Sequence, residues 1–144
     1  MKDETYYRCL GVIDRINDEA TSKFKSGYGF SKALGRNPSW WNVRYGAVTF
    51  PRLNNIVTYS ELFDVSVEYL LTGKKRTKYI PCIVCCENLY NKYKSTKISV
   101  ENCQKYAPIM FKVKRGCQVN LATLFEMENI LKTPAYNLGF KEIL

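Results

Sequence analysis

Leu62-Phe63-Asp64-Val65-Ser66-Val67-Glu68-Tyr69-Leu70-Leu71-Thr72-Gly73-Lys74 carries the plainest structural signals in the chain. Ser66 is a good N-cap: its hydroxyl can accept from an orphan amide of the first turn. Gly73 is a good stop, because glycine enters the left-handed conformation without penalty. The stretch therefore predicts a short helix from Val67 to Leu71. Working back from it, Leu53, Ile56, Val57, Leu62 and Phe63 recur at helical spacing and predict a helix entered after a turn at Pro51. Before that turn, Asn37-Pro38 signals a helix start, with asparagine at the cap and proline in the first turn. That helix holds Ser39, Trp40, Trp41, Asn42, Val43 and Arg44 and closes at Tyr45-Gly46. A further helix runs through Phe30, Ser31, Ala33 and Leu34 to Gly35. The first helix is predicted from residue 6 to about 20, with Cys9, Leu10, Ile13 and Ile16 on one face and Asp3 and Glu4 at its positive end.

Composition narrows the class. The chain has 144 residues, 46% hydrophobic and 24% charged, enough to build a core. No apolar run approaches the ~18 residues of a membrane span. The start Met1-Lys2-Asp3-Glu4-Thr5 is polar, unlike a secretory signal, which predicts a cytoplasmic protein with no membrane association. There is no histidine, so the commonest general base is missing and no enzyme is expected. Gly27-Tyr28-Gly29 is too short for a phosphate-binding loop, and no cofactor is expected. The net charge of +9 is lopsided: residues 1–72 hold 9 Lys+Arg and 8 Asp+Glu, while residues 73–144 hold 13 and 5. Such an imbalance favours a polyanionic partner.

Six cysteines are present. Cys82, Cys85 and Cys86 form a C-x-x-C-C cluster that could seed a zinc site, but Cys103 and Cys117 complete it only if the fold happens to bring them close. With no histidine and no second close pair, no metal is expected, and the cysteines are read as small apolar residues.

A short helix, a tight turn and a second short helix make the helix-turn-helix layout. Leu62 to Lys74 resembles the end of a lambda-repressor/Cro-like (XRE-family) domain. Phe30-Ser31-Lys32-Ala33-Leu34-Gly35 resembles its helix-to-turn segment, and Gly46 followed by Pro51 and Leu53 resembles its exit from the recognition helix. The resemblance covers residues 6–74. Two features depart from it. Tyr28 and Gly29 stand near where the family usually has a glutamine, and the segment from Gly35 to Gly46 is about one residue short.

The resemblance implies an all-α fold, with a five-helix DNA-binding domain over residues 1–73. It implies a sequence-specific transcriptional regulator of the phage or mobile-element repressor type, acting on double-stranded DNA and commonly as a homodimer. A recognition helix meets base edges in the major groove. Ser39, Trp40, Asn42, Val43 and Arg44 are then the candidates, with Trp41 assigned to the core. Asparagine can pair with adenine and arginine with guanine. A second reading stays open, in which the fold is kept but DNA binding is lost. Trp40, Tyr45 and Tyr59 would then be exposed and dock a protein, as in an antitoxin or anti-repressor, and the near-zero charge of residues 1–72 favours it.

Residues 74–80 read as a basic linker and residues 81–144 as a second helical unit, with no sheet anywhere. Ile83, Cys86, Leu89, Tyr90 and Tyr93 have helical spacing. Ser99 caps a helix with Val100, Cys103 and Tyr106. Pro108 opens another through Met110, Phe111 and Val113 to Gly116, and Asn120 caps a longer one running to Leu131. At an offset of 68, Leu53 falls on Leu121, Ile56 on Leu124, Phe63 on Leu131, Val67 on Ala135 and Leu70 on Leu138. This suggests a degenerate second copy; the rival is a dimerisation extension. Lys112, Lys114 and Arg115 then lie on or just after the second copy's equivalent helix, as candidate DNA contacts of the phosphate-binding kind.

Overall fold

The computed structural model describes residues 3–143. Met1 and Lys2 of the polar start, and Leu144 at the end of the second unit, lie outside the described residues. The protein is mostly helical. Helix α1 (Glu4–Phe24) begins at Asp3, whose carboxylate accepts from the Tyr6 amide at 3.0 Å. It buries Cys9, Val12, Ile13, Ile16 and Ala20 along one face. It runs further than its strongest periodicity suggests, because Phe24 packs its ring on Phe30 and Phe63.

Four shorter helices follow: α2 (Gly27–Ala33), α3 (Trp40–Gly46), α4 (Leu53–Phe63) and α5 (Val67–Thr72). The capping of α5 is as its sequence requires. The Tyr69 amide donates to Ser66 Oγ at 3.1 Å, and Gly73 closes the helix at φ 71°. Asn37 is not the N-cap expected for α3: Ser39 holds that place, two residues later. The Asn37 Oδ1 accepts from the amide and hydroxyl of Ser39 at 3.0 and 2.9 Å, so it braces the turn that leads into α3.

Between these helices lies an aromatic cluster. Phe30, Trp41, Tyr59 and Phe63 sit with ring centroids 5.2–6.4 Å apart. Trp41 is the core tryptophan, at 2% exposure. Tyr59, expected on the surface, is only 4% exposed. Its position on α4, four residues before Phe63, places it on the inward stripe.

Burial pushes the Tyr59 phenol from 10.0 up to about 12, and the Cys9 thiol from 9.0 up to about 11. Both shifts favour the neutral form in the folded chain. The stability they contribute is therefore present below pH 9 and lost as pH rises through the window from 9 to 12. Urea midpoints measured from about pH 8 to about pH 12 should fall steeply across that window. Tyr59→Phe should make the fall shallower at the upper end of the window; an unchanged alkaline profile would remove Tyr59 as a cause.

The second half departs from expectation in two places. Cys82–Val84 forms a strand, β1, antiparallel to β2 (Phe140–Glu142), with Ile83 opposite Lys141. The expectation of no sheet is thus corrected. Helical spacing from Ile83 onward was misleading: Ile83 lies on β1 at 49% exposure, and the helix, α6 (Glu87–Ser95), begins after Cys86. A three-residue strand whose partner lies far along the chain leaves no local periodicity to read.

Pro108 does not open a helix. It lies inside one continuous helix, α7 (Val100–Lys114). Proline removes one ladder hydrogen bond, normally a costly change in a helix interior. Here Tyr106, Met110 and Val113 continue one buried stripe past it, and Pro108 itself is exposed. Helix α8 (Leu121–Leu131) is capped by Asn120, whose Oδ1 accepts from the Thr123 amide at 2.8 Å. Helix α9 (Ala135–Gly139) leads into β2.

The two halves correspond in part. Helix α4 spans 53–63 and α8 spans 121–131, an offset of 68 at both ends. Both end on a left-handed residue, Asp64 at φ 55° and Lys132 at φ 53°. Helix α1 packs on α2 and α5 and α4 packs on α5, just as α6 packs on α7 and α9 and α8 packs on α9.

The halves also share one core, since α1 lies against α8 and α5 against α9. Arg8 ion-pairs with Glu128 and stands 4.0 Å over the Phe125 ring. The basic connection between the halves is pinned to the first. Arg76 forks onto the buried Glu19 carboxylate at 2.9 and 3.1 Å, and the Ser66 amide donates to Thr77 O at 2.9 Å.

Candidate nucleic-acid interface

Helix α3 is held by its inner face. The Trp41 amide donates to Ser31 Oγ at 2.9 Å, and that hydroxyl donates on to Gly27 O at 2.8 Å. The Trp41 indole N–H reaches Asn17 on α1 at 3.0 Å. Two glycines make this packing possible. A Cβ on Gly27 would stand 2.1 Å from the Asn42 side-chain oxygen, and one on Gly29 would stand 2.3 Å from the Phe24 carbonyl oxygen. A side chain at Gly29 would meet the α1 backbone and push α2 away from it, whereas one at Gly27 would displace the Asn42 side chain. Gly29, which departs from the family's pattern, is therefore a packing residue.

With Trp41 inward, the other side of α3 faces solvent. Ser39, Asn42, Val43 and Arg44 are exposed, Val43 at 61%, and the Asn42 side chain rests with its oxygen against Gly27. Trp40 is flanked by two guanidinium groups, Arg36 at 5.4 Å and Arg44 at 4.6 Å from its ring. It therefore forms a wall of the surface. Tyr45 is tied down by its hydroxyl, which donates to Asp14 Oδ1 at 2.8 Å. That hydrogen bond, with burial and the carboxylate charge, raises its pKa.

Beside α3, a cavity of about 410 Å³ is lined by Arg36, Trp40, Arg44, Arg52, Asn54 and Tyr59, among others, with no carboxylate in its wall. None of the three arginines ion-pairs with a carboxylate among the described residues. Arg36 and Arg52 were not among the candidates from sequence, yet a signal for them exists. Between Ala20 and Glu61 the chain has no Asp or Glu, while it has Lys23, Lys25, Lys32, Arg36, Arg44 and Arg52. The small net charge of residues 1–72 conceals this segregation, because the acids gather before and after that run.

Lys112, Lys114 and Arg115 are exposed at the end of α7, with Arg115 5.5 Å over the Phe111 ring. They project from a continuous helix, with no turn before them of the kind that separates α2 from α3. The two basic segments are nevertheless linked by a groove. A second cavity, of about 640 Å³, has Phe50, Pro51, Arg52 and Asn54 on one side and Cys117 to Ala122 on the other. The connection entering α4 thus faces the connection entering α8. A third cavity continues from Cys117 and Gln118 to Lys114.

Among the described residues, no group of three or more His, Cys, Asp or Glu side chains is placed to hold a metal ion, and no helix is long and apolar enough to cross a membrane. No protein-family model, curated protein or solved structure matches the chain.

Proposed function

We propose that this protein is a sequence-specific regulator that binds duplex DNA through α3. In this reading α2 and α3 form a helix-turn-helix within a lambda-repressor-like domain over residues 1–73. Residues 81–144 are a degenerate second copy, in which the first copy's second and third helices have become the single helix α7. The observation that carries the reading is the arginine group Arg36, Arg44 and Arg52. It is free of ion pairs with described carboxylates and adjoins the exposed side of α3. Such a surface neutralises phosphates and releases their counterions. In this reading the exposed Asn42, Val43 and Arg44 meet base edges, as the residues of a recognition helix do. The shared core and the pinned connection support two halves acting as one rigid surface. The protein-docking reading asked for Trp40, Tyr45 and Tyr59 to be available, but one is flanked by arginines, one is tied to Asp14 and one is buried.

The test is a titration of random duplex DNA at two or more salt concentrations. A steep dependence of affinity on salt is expected, and a flat one would return the protein to the docking class. The halves should then divide the work. Changing Lys112, Lys114 and Arg115 together to alanine should weaken binding to all sequences and reduce the salt slope by about 0.9 for each phosphate no longer neutralised. Asn42→Ala should instead relax sequence preference, costing about 1–3 kcal/mol on the preferred site if the pairing is bidentate. Parent-like salt curves for the triple variant would make the end of α7 a solvated face.

A further inference from the structure

The corner between β1 and α6 meets the α7–α8 connection at a cavity of about 420 Å³. Three thiols line it, Cys85, Cys86 and Cys117, with Lys114 and Gly116 beside them. All three are free, and their accessibility is graded: Cys86 is buried, Cys85 half-buried and Cys117 exposed. Burial pushes the Cys86 thiol pKa up, and the Val119 amide of the facing segment partly opposes that rise. Cys85 is anchored by its own amide, which donates to Gly139 O at 2.8 Å. On the facing side, Gly116 at φ 98° immediately precedes Cys117, and the space around it is open. Both walls are held by backbone hydrogen bonds, the Cys117 amide donating to Lys112 O at 3.0 Å, and the bend before Cys117 is made by a glycine.

We propose that Cys85 and Cys117 are a peroxide-reactive dithiol that closes to a disulfide across this cavity. Cys117 reacts first because it is the exposed thiol and the thiolate is the nucleophile. Its sulfur attacks one peroxide oxygen, the O–O bond breaks, a sulfenic acid forms and the other oxygen leaves as water after taking up a proton. The Cys85 sulfur then attacks the sulfenic sulfur. The S–O bond breaks, the S–S bond forms, and the hydroxyl leaves as a second water, carrying the Cys85 proton. Two thiols are oxidised by two electrons, and one peroxide is reduced to two waters. Closure requires the Cα atoms to come within the usual disulfide span of about 4.4–6.8 Å, and any approach from the Cys117 side has to release its amide from Lys112 O. Cys86 is the poorer partner, being buried. Cys9 and Cys82 are buried, and Cys103 does not line the cavity.

The test is peptide mapping of the full folded chain after brief exposure to hydrogen peroxide, with remaining thiols blocked by iodoacetamide. The expected result is one intrachain link between the Cys85 and Cys117 peptides, reversed by dithiothreitol. In C85S, Cys117 should instead be trapped as a sulfenic acid by dimedone, and in C117S the link should vanish. A link from Cys117 to Cys86 or Cys103, a link between two chains, or oxidised Cys117 with Cys85 still open to alkylation would each overturn the assignment. The map of the parent chain decides this alone, so it stands even if a variant folds poorly.

Discussion

Trp41→Ala should lower folding stability by about 3–5 kcal/mol, the range for truncating a large buried aromatic, whereas Trp40→Ala should cost far less. Against a typical total of about 5–15 kcal/mol, the first change removes a large share of the stability. Trp41 is 2% exposed and meets Phe30 at 5.3 Å, Tyr45 at 6.0 Å and Tyr59 at 6.3 Å between ring centroids. Its truncation leaves a void among the helices and strips Asn17 of the indole N–H that it accepts at 3.0 Å. Trp40 is only half-buried, at the wall of the arginine-lined cavity. Urea melts of the two variants, followed by far-UV circular dichroism, measure the difference. Equal losses would mean that the two neighbouring indoles share the core.

Arg36→Ala combined with Arg52→Ala should weaken binding to every duplex by about tenfold or more at low salt and flatten the salt slope by about 1.8, at about 0.9 for each phosphate no longer neutralised. Neither residue lies on the exposed turn of α3 that carries Asn42 and Val43, so sequence preference should survive. Both arginines line a wall without carboxylates. Neither ion-pairs with a carboxylate among the described residues, so their removal leaves no buried partner charge behind. Salt-dependent binding to random and preferred duplexes reads both quantities. If the slope stays at the parent's value, the arginine cavity is not where phosphates sit.

Residue pattern alone was enough for the helices whose signals are local. Ser66 and Gly73 delimit α5, Asn120 starts α8, and the spacing of Leu53, Ile56 and Phe63 fixes the inward side of α4. The offset of 68 between α4 and α8 was likewise readable, because it lies in the spacing of their apolar residues. The candidate site was partly legible. Asn42, Val43 and Arg44 followed from the layout of α3, and the acid-free run from Thr21 to Ser60 was present but hidden by averaging over the half-chain.

Tertiary structure decided what depends on distant partners. Pairing of Cys82–Val84 with Phe140–Glu142 made a strand of a segment with helical spacing. A continuous buried stripe of Tyr106, Met110 and Val113 carried α7 through Pro108, since the packing of three side chains outweighs one missing ladder bond. Tyr59 turned inward because α2, α3 and α4 enclose it together. Arg36, Arg44 and Arg52 became one site only when the α3–α4 connection folded back beside Trp40. Capping and periodicity act within a few residues and are written in the chain locally, whereas burial, strand pairing and charge clustering are properties of neighbours that only the folded chain supplies.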